Sequence, residues 1–496
     1  MKKSFVLFSL ILLPLAAWAQ SAEEDFFGED AVTVTAAPVS TADPTKQFSE
    51  DATGVRWGGT VKADSTWQPG WVGGWPGEAS AQWKDGLAYD LSTILFVDSR
   101  PDKDFRFRLS LQTGYPFTKD TKNVALDPAA LPAKSTTVST PNIKVWEMFT
   151  DVTIADAVFL RFGKQSASWG VSYFYSPGDV ISLTAKDATD PTAQREGPVA
   201  LKATVPFPGL KANLTGFVLA RDSYFNSTSL PTLREMGYAL QGDILVGDAQ
   251  LMLGGFYQQD NAPKAVATLN TGFGFLHVPG LSDVNLFSEA VFSYGSDVLK
   301  GEGERTITVG TTSLPTFARV TSWEKTIYYT GTVGASYSND DANLTLRTEY
   351  LYNPFGYSDK RSVLLAYNTV LASTADVYTS GGGINSGRAY GFGDAATPGM
   401  HNLSTLLSLA KLGGVDRLSF STLWQQNLSD FSGWVKPMFS LDPWDQLTFS
   451  WGLSVVYGDE GTQYPLTFQY RNAQGGAEGT QRVTLNIGVT YGTGKY

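Results

Sequence analysis

The sequence predicts an all-β fold, a transmembrane up-and-down antiparallel β-barrel of about 18 strands with short periplasmic turns and long extracellular loops. Three observations predict it: segments of period two recur along the chain, an export signal precedes them, and the long connections gather at one end. In residues 444–459, for example, Leu447 and Phe449 alternate with Thr448 and Ser450. Such alternation places apolar and polar side chains on opposite faces of a strand. A closed barrel with lipid outside and water inside requires that pattern.

The composition supports this class. The 496 residues are 42% hydrophobic, and the mean hydropathy of -0.12 fits strands that are half polar. Aromatic residues at 13% and 50 glycines are typical of strands, interfacial girdles and turns. The net charge of -11 argues against nucleic acid as a partner. The absence of cysteine excludes disulfides, thiolate metal sites and thiol catalysis.

The N-terminus predicts export. Lys2 and Lys3 precede the apolar run Phe5–Leu15, and small residues follow in Ala17-Trp18-Ala19. This pattern is typical of a signal peptide, which we place at residues 1–19. A retained anchor is the alternative, but the apolar core is shorter than the roughly 20 residues of a spanning helix. With the barrel pattern, the signal predicts the outer membrane of a diderm bacterium.

Residues 20–54 are acidic and show little periodicity, which predicts a flexible periplasmic segment. Within it, Asp30-Ala31-Val32-Thr33-Val34-Thr35-Ala36 is similar to the box that energised outer-membrane receptors offer to an inner-membrane partner. Those receptors also carry a plug domain much longer than this segment. We therefore interpret it as a linker.

Residues 55–496 form the predicted barrel domain. Its strands share period-2 alternation and a length that can cross a bilayer. They are Val55–Thr66, Leu87–Asp98, Phe105–Tyr115, Ile143–Ile154, Val158–Trp169, Pro198–Pro206, Leu210–Arg221, Gly237–Val246, Ala249–Gln258, Ala265–Val278, Val284–Ser296, Thr326–Ser338, Ala342–Asn353, His401–Lys411, Asp416–Asn427, Phe431–Leu441, Trp444–Tyr457 and Val483–Tyr491. Ala79–Trp83, which we expect to form a hairpin with Leu87–Asp98, and Pro465–Tyr470 also look extended. We place both in extracellular hairpins, although 16–20 strands fit the pattern.

The connections give an independent check. Those after even-numbered strands are short, such as Gly247-Asp248. All the long ones follow odd-numbered strands: 117–141, 170–197, 297–325, 354–400 and 458–482. Outer-membrane barrels have tight periplasmic turns and long outer loops, whereas a soluble sandwich has no reason to separate its loops in this way.

The polar parity of these strands predicts the side chains that line the lumen. A charge facing lipid near the midplane would cost about 2–4 kcal/mol for Arg or Lys, so the shared parity supports the assignment. The basic candidates are Arg56, Lys62, Arg106, Arg108, Arg161, Lys202, Arg347 and Lys436. The acidic candidates are Asp64, Asp90, Glu147, Asp151, Asp243, Glu289 and Glu349, and Gln165 is a neutral one.

Two interpretations of these charges remain open. They either set a field that selects solutes, or they form salt bridges that stiffen the wall. Because the signs nearly balance, we expect weak ion selectivity. The basic cluster of Arg106, Arg108, Arg161 and Lys202 suggests a mild preference for anionic solutes.

One segment is similar to a known pattern. Arg161-Phe-Gly-Lys-Gln165, followed by Trp169-Gly170, Phe174 and Pro177-Gly-Asp179, resembles the R-x-G-x-Q…W-G strand and loop of large Gram-negative porin-like families. The resemblance implies the class and no particular solute. It also implies that residues 170–197 fold inward as a constriction; an ordinary outer loop is the alternative. Residues 354–400 are a second candidate for either role.

The last strand, Val483–Tyr491, continues to Tyr496. It resembles the C-terminal signal read by the barrel-assembly machinery, an alternating strand that ends in an aromatic residue. Residues 492–495 shift Tyr496 off the parity of Tyr491. The resemblance implies that this machinery is a partner.

The chemistry of the chain argues against an enzyme. Its only histidines are His277 and His401, so a histidine pair for a metal, or a histidine-assisted nucleophile, is not expected. Glu147 and Asp151 are four residues apart on a strand, about 13 Å, which is wide for shared acid–base work. We predict no catalytic residues, no metal and no cofactor.

The sequence therefore predicts a porin-like channel for passive or substrate-selective diffusion of small solutes, in contact with outer-membrane lipid and compatible with a homo-oligomer. Two alternatives remain open. One is a transporter of hydrophobic molecules gated by residues 20–54. The other is a surface adhesin or structural barrel.

Overall fold

The computed structural model describes most of the barrel domain. The described residues are 54–115, 118–124, 134–140, 143–182, 186, 188, 191, 197–220, 232–273, 283–309, 312–374, 399–444, 446–471 and 477–492. The predicted signal peptide, the box at residues 30–36, His277 and Tyr496 lie outside them.

Eighteen long antiparallel strands make up the barrel among these residues. We number them β1 to β18 in chain order. They are β1 Gly54–Trp67, β2 Leu87–Asp102, β3 Phe105–Tyr115, β4 Ile143–Ile154, β5 Val158–Lys164, β6 Val199–Phe207, β7 Ala212–Leu219, β8 Gly237–Val246, β9 Ala249–Gln258, β10 Lys264–Gly272, β11 Val284–Tyr294, β12 Ile327–Asn339, β13 Leu344–Tyr352, β14 His401–Leu409, β15 Leu418–Asn427, β16 Ser432–Trp444, β17 Leu447–Tyr457 and β18 Ala477–Gly492.

The sheet closes on itself. Each strand pairs with the next one along the chain, and β1 pairs with β18 in a register that sets Asp64 opposite Thr490. Closure removes the free edges that an open sheet would expose. The predicted all-β fold, the closure and the strand number are confirmed.

The two faces of the wall differ as the alternation predicts. Leu201, Leu240 and Leu253 are outward and exposed. Inward-facing Thr215 and Thr268 are buried. An exposed apolar surface of this kind requires an apolar environment, whereas the interior has polar partners for its polar groups.

Strand ends depart from the prediction where the chain turns inward. β5 ends at Lys164 and not at Trp169. Gly163 has φ +129°, and a Cβ there would lie 2.1 Å from the carbonyl oxygen of Met148. Because only glycine fits this position, β4 can approach β5 closely here, just before β5 ends.

The long loops carry structure of their own. A hairpin joins Leu299–Val309 to Thr312–Ser322, and another joins Thr118–Val124 to Lys134–Thr140. Helix α1, Lys360–Thr374, follows β13. No helix among the described residues is long and apolar enough to cross a membrane.

Two local predictions were wrong. Gln82–Lys84 pairs with Gly70–Val72 and not with β2. The first half of Pro465–Tyr470 belongs to helix α2, Gln463–Thr467, while Gln469–Arg471 is a short strand on β18. Pro465 lies in the first turn of α2, where its missing N–H has no helical partner to lose, so proline is tolerated there.

Candidate functional site

The segment that follows β5 folds into the barrel. Trp169 is 2% exposed and lies against the inner side of the wall, with its ring centroid 6.0 Å from that of Phe217 on β7. A Cβ on Gly254 of β9 would meet the Trp169 ring at 2.9 Å. The buried cluster around Trp169 comes from strands β6 to β11 and consists of Ala200, Phe217, Leu219, Ala239, Met252, Phe256, Val266 and Val291, together with Ile181 of the segment itself. We call residues 165–182 the inward segment.

Glu289 on β11 anchors the inward segment. Its Oε1 accepts the backbone N–H groups of Val171 and Ser172, both at 2.6 Å, and its Oε2 accepts that of Gly178 at 2.6 Å. A Cβ on Gly170 would lie 2.5 Å from Glu289 Oε1. A carboxylate that accepts several N–H bonds is well satisfied in a buried position.

Glu349 on β13 anchors the residues between these contacts in the same way. Its Oε2 accepts the backbone N–H groups of Tyr173 and Phe174 at 2.8 and 2.9 Å, and its Oε1 accepts that of Tyr175 at 3.0 Å. Glu349 is fully buried. The two glutamates therefore fix the course of the inward segment across the wall.

Further contacts extend the attachment. The Arg347 guanidinium lies 4.4 Å from the centroid of the Tyr173 ring. The hydroxyl groups of Tyr175 and Ser404 are 2.6 Å apart. Farther along the same connection, the carbonyl oxygen of Ala188 accepts a bond from Gln425 on β15. The connection thus reaches from β5 to β15 across the interior.

Strands β2 to β5 carry a network of ion pairs on their inner side. Arg106 donates to both carboxylate oxygens of Asp98, with a shortest distance of 2.7 Å. Arg161 binds Asp151 through two bonds, at 2.7 and 3.1 Å. Such two-point pairs hold the guanidinium plane in place.

The rest of the network stiffens these groups. Arg108 Nε donates to Glu147 Oε2 at 3.1 Å. The Phe149 ring lies under two arginines, with guanidinium carbons 4.1 Å (Arg161) and 5.7 Å (Arg106) from its centroid. The charges on this wall are therefore held by both ion pairs and cation–π contacts.

The predicted lumen residues fall into two groups. Those on β1 to β8 outside the inward segment keep at least partial exposure, except Glu147, which is 5% exposed. They are Arg56, Lys62, Asp64, Asp90, Arg106, Arg108, Asp151, Arg161, Lys202 and Asp243. Lys62 pairs with Asp64 at 2.8 Å, and Asp243 accepts a bond from Asn213 at 3.1 Å. Lys436 on β16 is also partly exposed, and its Nζ lies 5.9 Å from the centroid of the Trp434 ring.

The second group is covered. Gln165, Glu289, Arg347 and Glu349 are at most 5% exposed. Gln165 donates to the carbonyl oxygen of Ala200 at 3.0 Å. These four face the interior, where the inward segment and its attachments bury them.

Three parts of this site were missed. Asp98 was predicted only as the end of a strand, although its spacing from Arg106 across the short turn 103–104 could have signalled the pair. Phe149 and Tyr173 gave no signal, because an aromatic residue on the inner parity breaks the polar pattern.

The outer end of the barrel has a cap made by three loops. The Phe317 N–H donates to Thr369 Oγ1 of α1 at 3.0 Å. Arg361 of α1 pairs with Glu304 of the 299–322 hairpin, and Lys360 pairs with Asp459 at 2.9 Å. Hydrogen bonds from these cations hold the pKa of Glu304 and the pKa of Asp459 below their ordinary values.

Helix α2 also folds against the inner wall. Tyr464 packs with Trp434 and Val456, inward-facing residues of β16 and β17. Leu423 of β15 contacts both this cluster and the aromatic cluster of the inward segment. Among the described residues, no group of three His, Cys, Asp or Glu side chains is placed to hold a metal ion.

The chain is distantly similar to several solved structures. The structure of Acinetobacter baumannii OccAB3 is 12% identical, with a TM-score of 0.42, over 89% of this chain and 99% of that chain. Pseudomonas aeruginosa OpdQ is 8% identical, with a TM-score of 0.44, over 88% and 98%. P. aeruginosa OccK2 (OpdF) in complex with glucuronate is 11% identical, with a TM-score of 0.43, over 88% and 97%. No protein-family model and no curated protein matches the chain.

Proposed function

We propose that the protein is a porin-like channel of the outer membrane, through which small solutes diffuse passively or selectively. The observation that carries this is the combination of a closed barrel, an apolar outer face and a charged inner wall on β1 to β5. Outer-membrane lipid and the barrel-assembly machinery are the partners that the proposal implies, and a homo-oligomer fits it.

The inner wall suggests where solutes pass. The inward segment and the residues attached to it cover the wall of β6 to β15, and α2 packs on β16 and β17. The ion-paired side chains of β2 to β5 stay partly exposed. We therefore place the path beside β1 to β5, with the inward segment as its constriction.

The charges on that wall suggest weak selectivity. Arg106, Arg108 and Arg161 each contact a carboxylate. Arg100 adds a further positive group 3.8 Å from Asp98. Because most of the positive charge is compensated, the field along the path favours anions only mildly.

Planar bilayers test the proposal. The purified chain without residues 1–19 should give stable open conductance, and replacing Arg106 and Arg108 by glutamate should move the reversal potential toward cation selectivity. Exchanging Arg319 for glutamate on the outer hairpin is the control for net charge, and it should leave selectivity unchanged. Uptake of glucuronate against glucose, which differ by a carboxylate, reports the same preference for whole solutes.

Two outcomes would oppose the proposal. If the chain without residues 1–19 shows no conductance and the further deletion of residues 20–54 restores it, gating by the N-terminal segment is favoured. If the barrel is folded but shows no conductance with or without residues 20–54, an adhesin or structural role is favoured.

A further inference from the structure

Phe149 is an aromatic residue on the inner face of β4, beneath the arginines of the ion-pair network. Period-2 alternation places it on the same face as Glu147 and Asp151. Its ring centroid lies 4.1 Å from the guanidinium carbon of Arg161 and 5.7 Å from that of Arg106. Phe149 is 1% exposed, so its ring is covered while the charged groups above it stay within reach of the path.

Gly163 of β5 provides the space for this contact. It is the direct cross-strand partner of Phe149, and Arg161 lies two residues before it on the same inner face. Because Gly163 has no side chain, the position opposite Phe149 is open, and the Phe149 ring and the Arg161 side chain can meet there. A Cβ on Gly163 would also lie 2.8 Å from the Cα of Phe149.

Gln165 holds the backbone on which Arg161 and Gly163 lie. Its Nε2 is 3.0 Å from the carbonyl oxygen of Ala200 on β6, 3.4 Å from that of Gly163 and 3.5 Å from that of Arg161. Gln165 is fully buried. The three residues of the pattern R-x-G-x-Q therefore contribute to one feature of the wall, the placement of the Arg161 guanidinium.

The ion pair alone leaves this guanidinium one freedom. Its two bonds to Asp151, at 2.7 and 3.1 Å, lie along one edge of the group. The guanidinium plane can still rock about that edge. The Phe149 ring contacts the group from a second direction, against its face, and opposes this motion. Because the ring carries no net charge, it orients the cation without neutralising it.

We propose that Phe149 is a positioning residue for selectivity, because its ring holds the Arg161 guanidinium in the orientation that faces the path. This inference rests on the proposed channel and names a residue through which one of its charges acts. An exposed cation–π contact favours the held orientation by roughly two- to five-fold. Without the ring, the guanidinium would face the path for less of the time, and the mild preference for anions should fall.

Packing is the alternative role for Phe149, and the electron density of the ring distinguishes the two. Fluorine on the ring withdraws electrons from its face and weakens its attraction for a cation, while the shape of the side chain changes little. A role in packing alone would therefore not depend on fluorination. A role in positioning Arg161 would.

The first test varies the ring and measures ion selectivity. Phenylalanine analogues with increasing numbers of ring fluorines replace Phe149, and reversal potentials are recorded in planar bilayers under a KCl gradient. We expect the ratio of chloride to potassium permeability to fall stepwise along the series. The same series at Phe439 is the matched control and should leave the ratio unchanged, because Phe439 faces outward and packs on Phe420 and Trp451.

The second test links the ring to its nearer arginine. In the Arg161→Gln variant, fluorination of Phe149 should change the permeability ratio much less than in the wild type, because the cation closest to the ring is gone. If the full effect of fluorination persists in this variant, the ring acts through other charges and the assignment to Arg161 is overturned.

Nuclear magnetic resonance reports the orientation of Arg161 without any conduction. The chain without residues 1–19 is refolded in detergent with isotope-labelled arginine. Protons held over the face of an aromatic ring are shifted upfield by its ring current. We expect a strongly upfield-shifted arginine signal that disappears in Arg161→Gln and returns to an ordinary shift in Phe149→Leu.

Equal permeability ratios along the fluorinated series overturn the proposal, and so does an Arg161 signal at an ordinary shift in the wild type. If the wild type shows no conductance, the proposed channel is opposed. The arginine signal would still decide whether Phe149 holds Arg161.

Discussion

Glu289 and Glu349 each accept three backbone N–H groups from one segment, residues 171–178: Glu349 binds residues 173–175, and Glu289 binds Val171, Ser172 and Gly178 on either side of them. They stand on β11 and β13, while the segment leaves the wall at β5. The position of the inward segment is therefore set by two side chains on distant strands and not by the loop's own sequence alone.

Replacing both glutamates by glutamine should loosen the inward segment. An amide offers one acceptor where the carboxylate offers two, and its NH₂ group faces backbone donors. We expect a loss of roughly 2 kcal/mol of stability for each substitution. Single-channel recordings should show larger and noisier conductance.

Glu302→Gln, at a partly exposed position of the outer hairpin, is the matched control, and its conductance should equal that of the wild type. If the double glutamine variant conducts like the wild type, the anchors do not fix the constriction.

Gly170 lies against the first anchor. Its φ is +110°, and a Cβ would meet Glu289 Oε1 at 2.5 Å. Gly170→Ala should therefore cost on the order of 1–3 kcal/mol and make the conductance noisier, as in the double glutamine variant. Gly86→Ala, where no atom lies within 4 Å, is the comparison. Equal thermal stability of the two alanine variants would contradict the close approach.

The ion pairs of β2 to β5 predict a directed change in selectivity. Asp98→Asn and Asp151→Asn remove carboxylates from Arg106 and Arg161. The freed positive charge should shift the reversal potential in a KCl gradient toward anions. Asp416→Asn, in the turn between β14 and β15, removes the same charge at a position away from this wall. It should leave the reversal potential unchanged. A shift toward cations would remove these arginines from the path.

The cap predicts a pH dependence. The pKa of Glu304 lies below its ordinary 4.5 and the pKa of Asp459 below its ordinary 3.8, in each case because a cation of α1 donates a hydrogen bond. A lowered folded-state pKa stabilises the folded contact above the ordinary value, and this stabilisation is lost as pH falls through the lowered one. Docking of α1 should therefore weaken only below about pH 4.5.

Hydrogen exchange across residues 360–369 measures that docking. Protection factors should fall with acid in the wild type and show no such dependence in Glu304→Gln with Asp459→Asn. If the double variant shows the same loss of protection in acid, titratable groups other than Glu304 and Asp459 cause the pH dependence.

The strands could be predicted because alternation is local. The alternation of residues such as Leu447 and Thr448 assigns each side chain to one face of the strand, and it does not depend on the neighbouring strands. The predicted strand ends were wrong where a distant contact decides them, as at β5, where the packing of Trp169 against β6 to β11 holds the chain inside the barrel.

For the site, the sequence could predict only which side chains face the interior of the barrel. Alternation places Glu289 and Arg106 on the same inner face, but it does not tell which of them a loop will cover. The inward fold of residues 165–182 depends on backbone N–H groups, which nearly every residue carries, so no side-chain pattern marks them. Helix α2 was missed because its five residues, Gln463–Thr467, are too few to show a helical period.

The central claim is that the barrel is sealed, with water inside and lipid outside. The reactivity of single cysteines at alternate positions along one strand tests it most directly. The sequence has no cysteine, so single cysteines can be placed on β2 at the inward positions Asp90, Ser92 and Ile94 and the outward positions Leu91, Thr93 and Leu95. With the barrel in a bilayer, a charged membrane-impermeant thiol reagent should modify the inward set and reduce the current, while the outward set stays unreactive. Equal reactivity of both sets would contradict a sealed barrel with a wet interior and an outer face in lipid.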